Sequence, residues 1–141
     1  MDEFTFREIN GELDPEDKKI MVKSMLAYHA SKGHPRKTEM YSVALKDRQA
    51  KLVGCVIVSF LWNGMHIDTL WVEESLRGKD FGTKLLEMAE KEGVKRKCTI
   101  SYTDTFTWQA PEFYKKLGYK EYGRLEDFPV GNTLTYFFKN L

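Results

Sequence analysis

The residues from Arg77 to Thr83 have the types and spacing of an anion-binding turn. The turn is basic, carries Gly78 and Gly82, and stands between an apolar strand ending at Val72 and an amphipathic helix predicted over Phe81–Glu92. The first turn of a helix has backbone N–H groups without partners, and the helix dipole favours an anion there. Glycines remove the Cβ atoms that would hold a phosphate away from the backbone. The pattern therefore predicts a site for a phosphorylated ligand.

The turn matches neither of the two common nucleotide-binding loops. The spacing between Gly78 and Gly82 is too short for a P-loop, and Thr83-Lys84 stands in reverse order to the Lys-Ser/Thr pair of that motif. A dinucleotide fingerprint needs a further spaced glycine, which the turn lacks. On the turn alone, an ordinary strand-to-helix connection with surface lysines is an equally good interpretation.

Three motifs in the C-terminal half carry a resemblance to a known family. Arg77-Gly78-Lys79-Asp80-Phe81-Gly82 resembles the acetyl-coenzyme A loop of the GNAT superfamily of N-acetyltransferases, which reads Arg/Gln-x-x-Gly-x-Gly/Ala. Leu70-Trp71-Val72 is similar to the Leu-x-Val end of the strand before that loop. Gln109–Tyr119 is similar to the later Ala-x-x-Phe-Tyr-x-x-x-Gly-Phe/Tyr signature. The resemblance covers Asp68–Leu141 well and the N-terminal half only by element order. Asp80 departs from it, since the family usually has its middle glycine there.

The resemblance implies a clamp for acetyl-coenzyme A. Backbone amides of the turn would bond the pyrophosphate, and the strand before the turn would pair with the pantetheine arm like an added strand. An N–H group near Trp71 or Val72 would then stabilise the thioester oxyanion. The cofactor-binding residues implied are Leu70, Trp71, Val72, Arg77, Gly78, Lys79, Asp80, Phe81, Gly82, Thr83, Gln109 and Phe113.

Acetyl transfer to an amine also needs an acid for the leaving thiolate and a base for the ammonium group. The resemblance implies that Tyr114 is the acid, whereas its helical position alone favours a core tyrosine beside Phe113. Asp68, Glu73 and Asp104 are the carboxylate candidates for the base, with His66 as an outsider. Strand alternation places Asp68 on the face of Leu70. For each carboxylate, a solvated charge at a strand end is the alternative.

The acceptor end is predicted from charge and aromaticity. Carboxylates could form an acidic mouth that attracts a cationic amine, and large aromatic residues could form one wall. The alternative for the aromatic residues is a place in the core. The acidic candidates are Asp68, Glu73, Asp104, Glu126 and Asp127, and the aromatic ones are Trp71, Phe106 and Trp108.

The composition is that of one ordinary domain. A chain of 141 residues is long enough for a sizeable core, and its net charge of +1 argues against a dedicated nucleic-acid binder. Cys55 and Cys98 lack metal spacing, so we expect buried free thiols in a reducing cytoplasm and no metal. The N-terminus is acidic without a signal sequence, and the apolar run Leu52–Trp62 is shorter than the ~20 residues of a membrane helix.

The elements that must position these residues follow from periodicity and turn residues. A strand is predicted over Phe4–Ile9, and a helix from Pro15 to near Ser31, capped by Asp14. Asn63-Gly64 is a strong hairpin signal. The further strands are Tyr41–Leu45, Leu52–Leu61, His66–Val72, Cys98–Thr103, Tyr119–Leu125 and Thr133–Phe138, and the further helices are Phe81–Glu92 and Pro111–Leu117.

Together these observations predict a single GNAT domain over residues 1–141. Its fold is α+β (mixed α/β), with a mostly antiparallel central sheet, splayed parallel strands and flanking helices. We expect a cytoplasmic N-acetyltransferase that moves an acetyl group from acetyl-coenzyme A directly to a primary amine of a small molecule or peptide, with no nucleic-acid or membrane partner. A homodimer is compatible with the sequence. The alternative is an acyl-coenzyme A-binding domain of the same fold without catalysis.

Overall fold

The computed structural model describes residues 3–141, and its contacts divide the chain after Arg36 into two compact units. In the first unit, helix α1 spans Pro15–Ser31, with Asp14 at the N-cap position as predicted. The Asp14 side chain makes no capping hydrogen bond, and no residue of α1 is buried.

The strand predicted over Phe4–Ile9 is absent from the structure. A single strand has no ladder for its N–H and C=O groups, and the described residues of the first unit contain no second strand to supply one. The alternation that suggested a strand was therefore insufficient. The prediction of a single domain over 1–141 stays a prediction.

The second unit, Lys37–Leu141, contains a six-stranded sheet in the order β1-β2-β3-β4-β6-β5. Only the pair β3–β4 is parallel, which confirms the predicted mostly antiparallel sheet. The strands are β1 (Glu39–Lys46), β2 (Leu52–Leu61), β3 (Gly64–Val72), β4 (Ile100–Phe106), β5 (Lys120–Glu126) and β6 (Thr133–Asn140). The helices are α2 (Phe81–Lys95) and α3 (Pro111–Lys116), and Glu74–Leu76 forms one 3-10 turn.

The core lies between α2 and the central strands. Leu85, Leu86 and Ala89 recur at helical spacing and are buried against Val56 and Met65. Full burial of one such aliphatic side chain stabilises the fold by ~1.5–3 kcal/mol. This packing fixes the angle at which the N-terminus of α2 meets the end of β3.

Two predicted boundaries around α2 differ from the structure. The helix continues to Lys95, and β4 begins at Ile100 rather than Cys98. The Cys98 backbone N–H donates to the Gly93 carbonyl at 2.8 Å, so this residue closes the helix end instead of joining the strand. Cys98 is a buried free thiol as predicted, whereas Cys55 is a free thiol that is only half-buried.

The two parallel strands separate after a short ladder. Pairing of β3 with β4 runs from Gly64–Ile100 to His66–Tyr102 and ends there. The Thr103 hydroxyl donates to the Ile67 carbonyl at 3.0 Å and closes the last rung. The predicted splay of these strands is therefore present. Within the described residues, no helix is long and apolar enough to cross a membrane.

Candidate functional site

A cavity of about 820 Å³ lies where β3 and β4 separate. Its wall continues into the turn before α2 and onto α3. The lining comprises Ile67–Val72 of β3, the residues of Leu76–Thr83 other than Lys79, Thr103–Thr105 of β4, and Trp108, Gln109, Ala110, Phe113, Tyr114 and Lys116.

The structure brings most of the predicted site residues to this cavity. Tyr114, Asp68 and Asp104 all line it. Every predicted cofactor-binding residue lines it except Lys79. Trp71 and Trp108 of the expected aromatic wall are present too. The base candidates His66 and Glu73 and the acidic-mouth candidates Glu126 and Asp127 lie outside the lining.

The turn before α2 is shaped by two left-handed residues. Gly78 has φ 75° and Asp80 has φ 65°, so the chain reverses tightly into the helix. The Arg77 Nε donates to the Val72 carbonyl at 3.0 Å, which fastens the turn to the end of β3. A Cβ at Gly82 would lie 3.4 Å from the Phe113 ring. Glycine at this position leaves the backbone of the first turn of α2 without a side chain between it and Phe113, so an anion can approach the N–H groups closely.

Asp80 occupies the N-cap position of α2 without capping it through its side chain. A carboxylate at this position could accept hydrogen bonds from the first N–H groups of α2, but the Asp80 side chain accepts none of them. In the left-handed region the Asp80 carboxylate is not engaged with the N–H groups of α2. Glycine takes positive φ without steric cost, whereas aspartate is only tolerated there, which gives a backbone reason for glycine at this position in the family.

The end of β3 has an open backbone edge. On one side, Leu70, Trp71 and Val72 pair with β2. On the other side the ladder with β4 has already ended at His66. The groups of this segment that point away from β2 therefore face the cavity without a strand partner among the described residues. An extended amide-bearing chain is the ligand that such an edge accepts.

A β-bulge at Asp68 changes the direction of its carboxylate. Ile57 pairs with Thr69 and Val58 pairs with Ile67, so Asp68 has no register partner on β2. Ile67 and Leu70 both pack towards the core. The prediction that Asp68 shares the face of Leu70 is therefore wrong, because the extra residue breaks the alternation.

The Asp68 carboxylate accepts two hydrogen bonds at the same oxygen. The Ser59 hydroxyl donates to Oδ1 at 3.0 Å, and His66 Nδ1 lies 2.5 Å from that atom. The His66 ring packs against Tyr102, with the ring centroids 4.9 Å apart. Asp68, which lines the cavity, is therefore held in place by Ser59 and His66, which lie outside the lining.

Tyr114 belongs both to the core and to the cavity wall. Its side chain is 6% exposed and lies among the buried core residues. Burial raises the pKa of Tyr114 to about 12, while a hydrogen bond with Thr103 lowers it and the Asp104 carboxylate raises it. The phenol therefore keeps its proton across the neutral range.

Hydrogen bonds among its own residues hold the connection from β4 to α3. Gln109 Oε1 accepts hydrogen bonds from the Phe106 backbone N–H at 2.8 Å and from the Thr105 hydroxyl at 3.3 Å. Thr105 Oγ1 in turn accepts from the Ala110 N–H at 3.2 Å. The amide oxygen of Gln109 thus holds the turn that precedes Tyr114.

Aromatic rings stack beside the cavity. The Phe106 and Trp108 rings are 4.8 Å apart between centroids and nearly parallel, at 5°. Phe128 adjoins Phe106 at 5.9 Å. Trp108 is 60% exposed, so the predicted core alternative does not describe it. This stack and the Asp104 carboxylate offer a surface suited to a cationic or planar group.

Sequence reasoning missed Ser59 and Thr103 and undervalued His66. Ser59 and His66 are register partners on neighbouring strands because the two-residue loop is Trp62-Asn63, with Leu61 paired to Gly64. Counting from Asn63-Gly64 as the loop places Ser59 opposite Asp68 instead, so the sequence pattern misses this pair. Thr103 has the sequence context of an ordinary strand residue. Its hydrogen bond to Ile67 arises only because the pairing of β3 with β4 ends just before it. The bulge at Asp68 has no local sequence signal.

Comparison with known proteins agrees with this fold. A family profile described as "Acetyltransferase (GNAT) domain" matches residues 37–121. Blasticidin-S acetyltransferase of Streptomyces morookaense is 31% identical over 107 residues, which cover 75% of this chain and 79% of that protein.

Two solved structures are also similar. An acetyltransferase from Bacillus cereus ATCC 14579 superposes with a TM-score of 0.84 at 35% identity, covering 96% of this chain and 98% of that one. An aminoglycoside 6'-N-acetyltransferase complexed with coenzyme A has a TM-score of 0.64 at 25% identity, covering 72% of this chain and 73% of that one. The chain belongs to the GNAT acetyltransferase family of acyltransferases, which confirms the resemblance.

Proposed function

We propose that the protein transfers an acetyl group from acetyl-coenzyme A directly to the primary amine of a small cationic acceptor. One observation carries this proposal. A single cavity joins the turn Arg77–Thr83 and the open edge of β3 to the Tyr114 phenol and to two carboxylates, Asp68 and Asp104.

The residues fit the co-substrate at both ends of its length. Gly78, Gly82 and Thr83 would hold the pyrophosphate at the N-terminus of α2, where backbone N–H groups and the helix dipole favour an anion. The open edge of β3 would pair with the amides of the pantetheine arm. When bound, acetyl-coenzyme A supplies an activated acetyl group as a thioester.

The chain supplies groups for the charges and protons of the transfer. A β3 N–H near Trp71 or Val72 would stabilise the developing oxyanion. Tyr114, protonated because burial raises its pKa to about 12, would donate a proton to the leaving thiolate. Asp68 or Asp104 would take the proton of the ammonium group, which an alkylamine keeps at neutral pH.

The acceptor end supports a cationic small molecule. Asp68 and Asp104 supply negative charge at the cavity, and Trp71 and Trp108 supply aromatic surface. An amine attracted by carboxylates and packed on rings is the chemistry that these groups recognise. Two relatives carry names of antibiotic acetyltransferases, one for blasticidin S and one for aminoglycosides, which makes amine-bearing antibiotics the first compounds to test.

Two assays separate binding from catalysis. Acetyl-coenzyme A at one hundred times its dissociation constant should stabilise the fold by ~2.7 kcal/mol, seen as a rise in melting temperature. Thiol release with a panel of amines should then identify acceptors. An unchanged melting temperature at millimolar acetyl-coenzyme A rejects the proposal. Binding without thiol release across the panel favours the non-catalytic alternative.

A glycine pair gives a matched control. Gly82→Val places a side chain against Phe113 and should weaken acetyl-coenzyme A binding, because even a Cβ there lies 3.4 Å from that ring. Gly123→Val lies outside the cavity lining, where a Cβ meets Tyr136 at an ordinary 3.8 Å. The Gly123 variant should bind the co-substrate like the wild type.

A further inference from the structure

One carboxylate of the cavity is coupled to a histidine outside it. His66 Nδ1 lies 2.5 Å from Asp68 Oδ1, and Ser59 Oγ donates to the same oxygen at 3.0 Å. Asp68 lines the cavity, whereas His66 and Ser59 do not. The second carboxylate oxygen of Asp68 takes part in neither bond. The pair therefore has one side towards the cavity and another among the strands.

The sheet builds this arrangement from three strands. Ser59 is the register partner of His66 on β2, and Tyr102 is its partner on β4. The bulge at Asp68 aligns its carboxylate with the His66 ring rather than with the core. Strand pairing, rather than mobile surface side chains, thus sets the contact between the ring and the carboxylate.

The short contact requires a hydrogen between the two atoms. Two lone pairs would repel at 2.5 Å, and an ionised carboxylate can only accept, so beside an ionised Asp68 the His66 Nδ1 carries the hydrogen and donates it. In a neutral ring bound in this way, the other nitrogen, Nε2, keeps its lone pair and is basic. A carboxylate that accepts the Nδ1–H bond also stabilises the imidazolium that forms when Nε2 takes a proton.

We propose that His66 and Asp68 act as one proton-accepting unit for the acceptor amine, with His66 a positioning residue that works through Asp68. This inference rests on the proposed function. An ammonium N–H bond breaks, its electron pair stays on nitrogen, and the proton passes to the second carboxylate oxygen of Asp68. The pair goes from a net charge of −1 to 0 as a carboxylic acid that still accepts the His66 Nδ1–H bond, and Asp68 then releases the proton to solvent.

The pair differs from a carboxylate alone in orientation and in its response to pH. The Nδ1–H bond holds one oxygen of Asp68, which leaves the second oxygen free to accept a proton. An imidazole gains a charge between about pH 5 and 8, and a cation beside a carboxylate makes that carboxylate a poorer base. The ring must therefore be neutral for Asp68 to accept the ammonium proton.

Two hydroxyl-bearing side chains face the pair, Ser59 from β2 and Tyr102 from β4. Asp104 lies two residues beyond Tyr102 on the same strand face, and it acts electrostatically on Tyr114 and Tyr122. Within residues 3–141, Asp104 has no hydrogen-bonded histidine. The assignment therefore favours Asp68 over Asp104 as the base.

The first test needs no acceptor. The chain has three histidines, so His66→Gln assigns the His66 ring signals in a nitrogen NMR spectrum of the whole protein. We expect a neutral ring in the Nδ1–H form, and we expect Asp68→Asn to shift it towards the Nε2–H form. A ring in the Nε2–H form that does not respond to Asp68→Asn overturns the pairing.

The second test is the pH profile of kcat/KM for an acceptor found in the panel. The wild type should show a rising limb between about pH 5 and 8. His66→Gln keeps a hydrogen-bond donor but cannot titrate. It should lose that limb and lower kcat by ~10²-fold or more, with KM for acetyl-coenzyme A unchanged. Ser59→Ala should keep the limb, and so should His34→Gln, the matched histidine control.

The outcomes separate this inference from the proposed function. If the wild type releases no thiol with any amine, the proposed function fails and the catalytic role falls with it, while the NMR result still decides the pairing. If the wild type turns over and His66→Gln keeps the limb and the rate, the proposed function stands and the proton-accepting role of the pair is rejected.

Discussion

Tyr114 is the residue whose surroundings best define a single chemical role. Its ring is buried, Thr103 and Asp104 act on the pKa of its hydroxyl, and its side chain reaches the cavity. We expect Tyr114→Phe to lower turnover by ~10²–10⁴-fold, the usual cost of losing a general acid. Acetyl-coenzyme A affinity should stay nearly unchanged because the ring remains.

Steady-state kinetics and calorimetric titration of Tyr114→Phe separate these effects. Tyr122→Phe is the matched control, since Tyr122 is 55% exposed and lies outside the cavity lining. Full turnover in Tyr114→Phe, with chemistry rate-limiting, would make Tyr114 a packing residue only.

Asp80 places a negative charge in the turn that is proposed to hold a pyrophosphate. Its backbone is left-handed, and its carboxylate makes no capping bond. A like-charge contact near ~4 Å at surface dielectric reaches ~4 kcal/mol before salt and solvent reduce it. We therefore expect both Asp80→Asn and Asp80→Gly to tighten acetyl-coenzyme A binding, with gains that shrink as salt rises.

The two Asp80 variants separate charge from backbone. Asparagine removes the charge and still tolerates positive φ, whereas glycine also removes the side chain from the left-handed residue. Calorimetric titration at low and high salt measures both variants. Affinities equal to or weaker than that of the wild type would show that the carboxylate points away from the ligand.

At the scale of elements, a buried polar network joins α2, β4 and β6. The Tyr119 hydroxyl donates to Glu90 at 2.9 Å and lies 2.7 Å from Ser101 Oγ, and Lys139 Nζ lies 3.0 Å from Glu90. Ser101 is fully buried. Tyr119→Phe leaves Ser101 and Glu90 short of a partner and should cost ~1–3 kcal/mol of unfolding free energy.

Urea unfolding of Tyr119→Phe measures this loss, again with Tyr122→Phe as the exposed control. Because Tyr119 does not line the cavity, kcat and KM at a temperature where the variant is folded should match the wild type. A stability equal to that of the wild type would mean that water replaces the lost hydroxyl.

The elements that sequence predicted best are those with local signals. Asn63-Gly64 predicted the β2–β3 hairpin, although its two loop residues are Trp62 and Asn63, and the apolar spacing of Leu85, Leu86 and Ala89 predicted α2. The bulge at Asp68 and the left-handed backbone of Asp80 depend on how strands and helix meet, so neither is visible in local residue types. The alternation of Phe4–Ile9 is also a local signal, but the strand predicted from it is absent. A strand needs a second strand to pair with, and local residue types do not show whether one is present.

At the scale of the whole molecule, two buried tyrosines make the unfolding free energy depend on pH in the alkaline range. Burial is the main cause that raises the pKa of Tyr114 to about 12, and burial also raises the pKa of Tyr119. In the unfolded chain a tyrosine loses its proton near pH ~10. The folded state therefore keeps a proton that the unfolded state releases. This contribution to stability is complete below pH ~10 and is lost as pH rises towards about 12.

The size of the effect follows from the shift at Tyr114. One pH unit corresponds to ~1.4 kcal/mol, so the move from 10.0 to about 12 is on the order of 3 kcal/mol. The contribution of Tyr114 to the unfolding free energy, measured in urea, should be constant between pH 8 and 9 and should fall between pH 10 and 11. Tyr114→Phe should flatten that fall, because phenylalanine has no proton to lose. An equally steep fall in Tyr114→Phe would mean that Tyr119 or another group sets the alkaline limit of the fold.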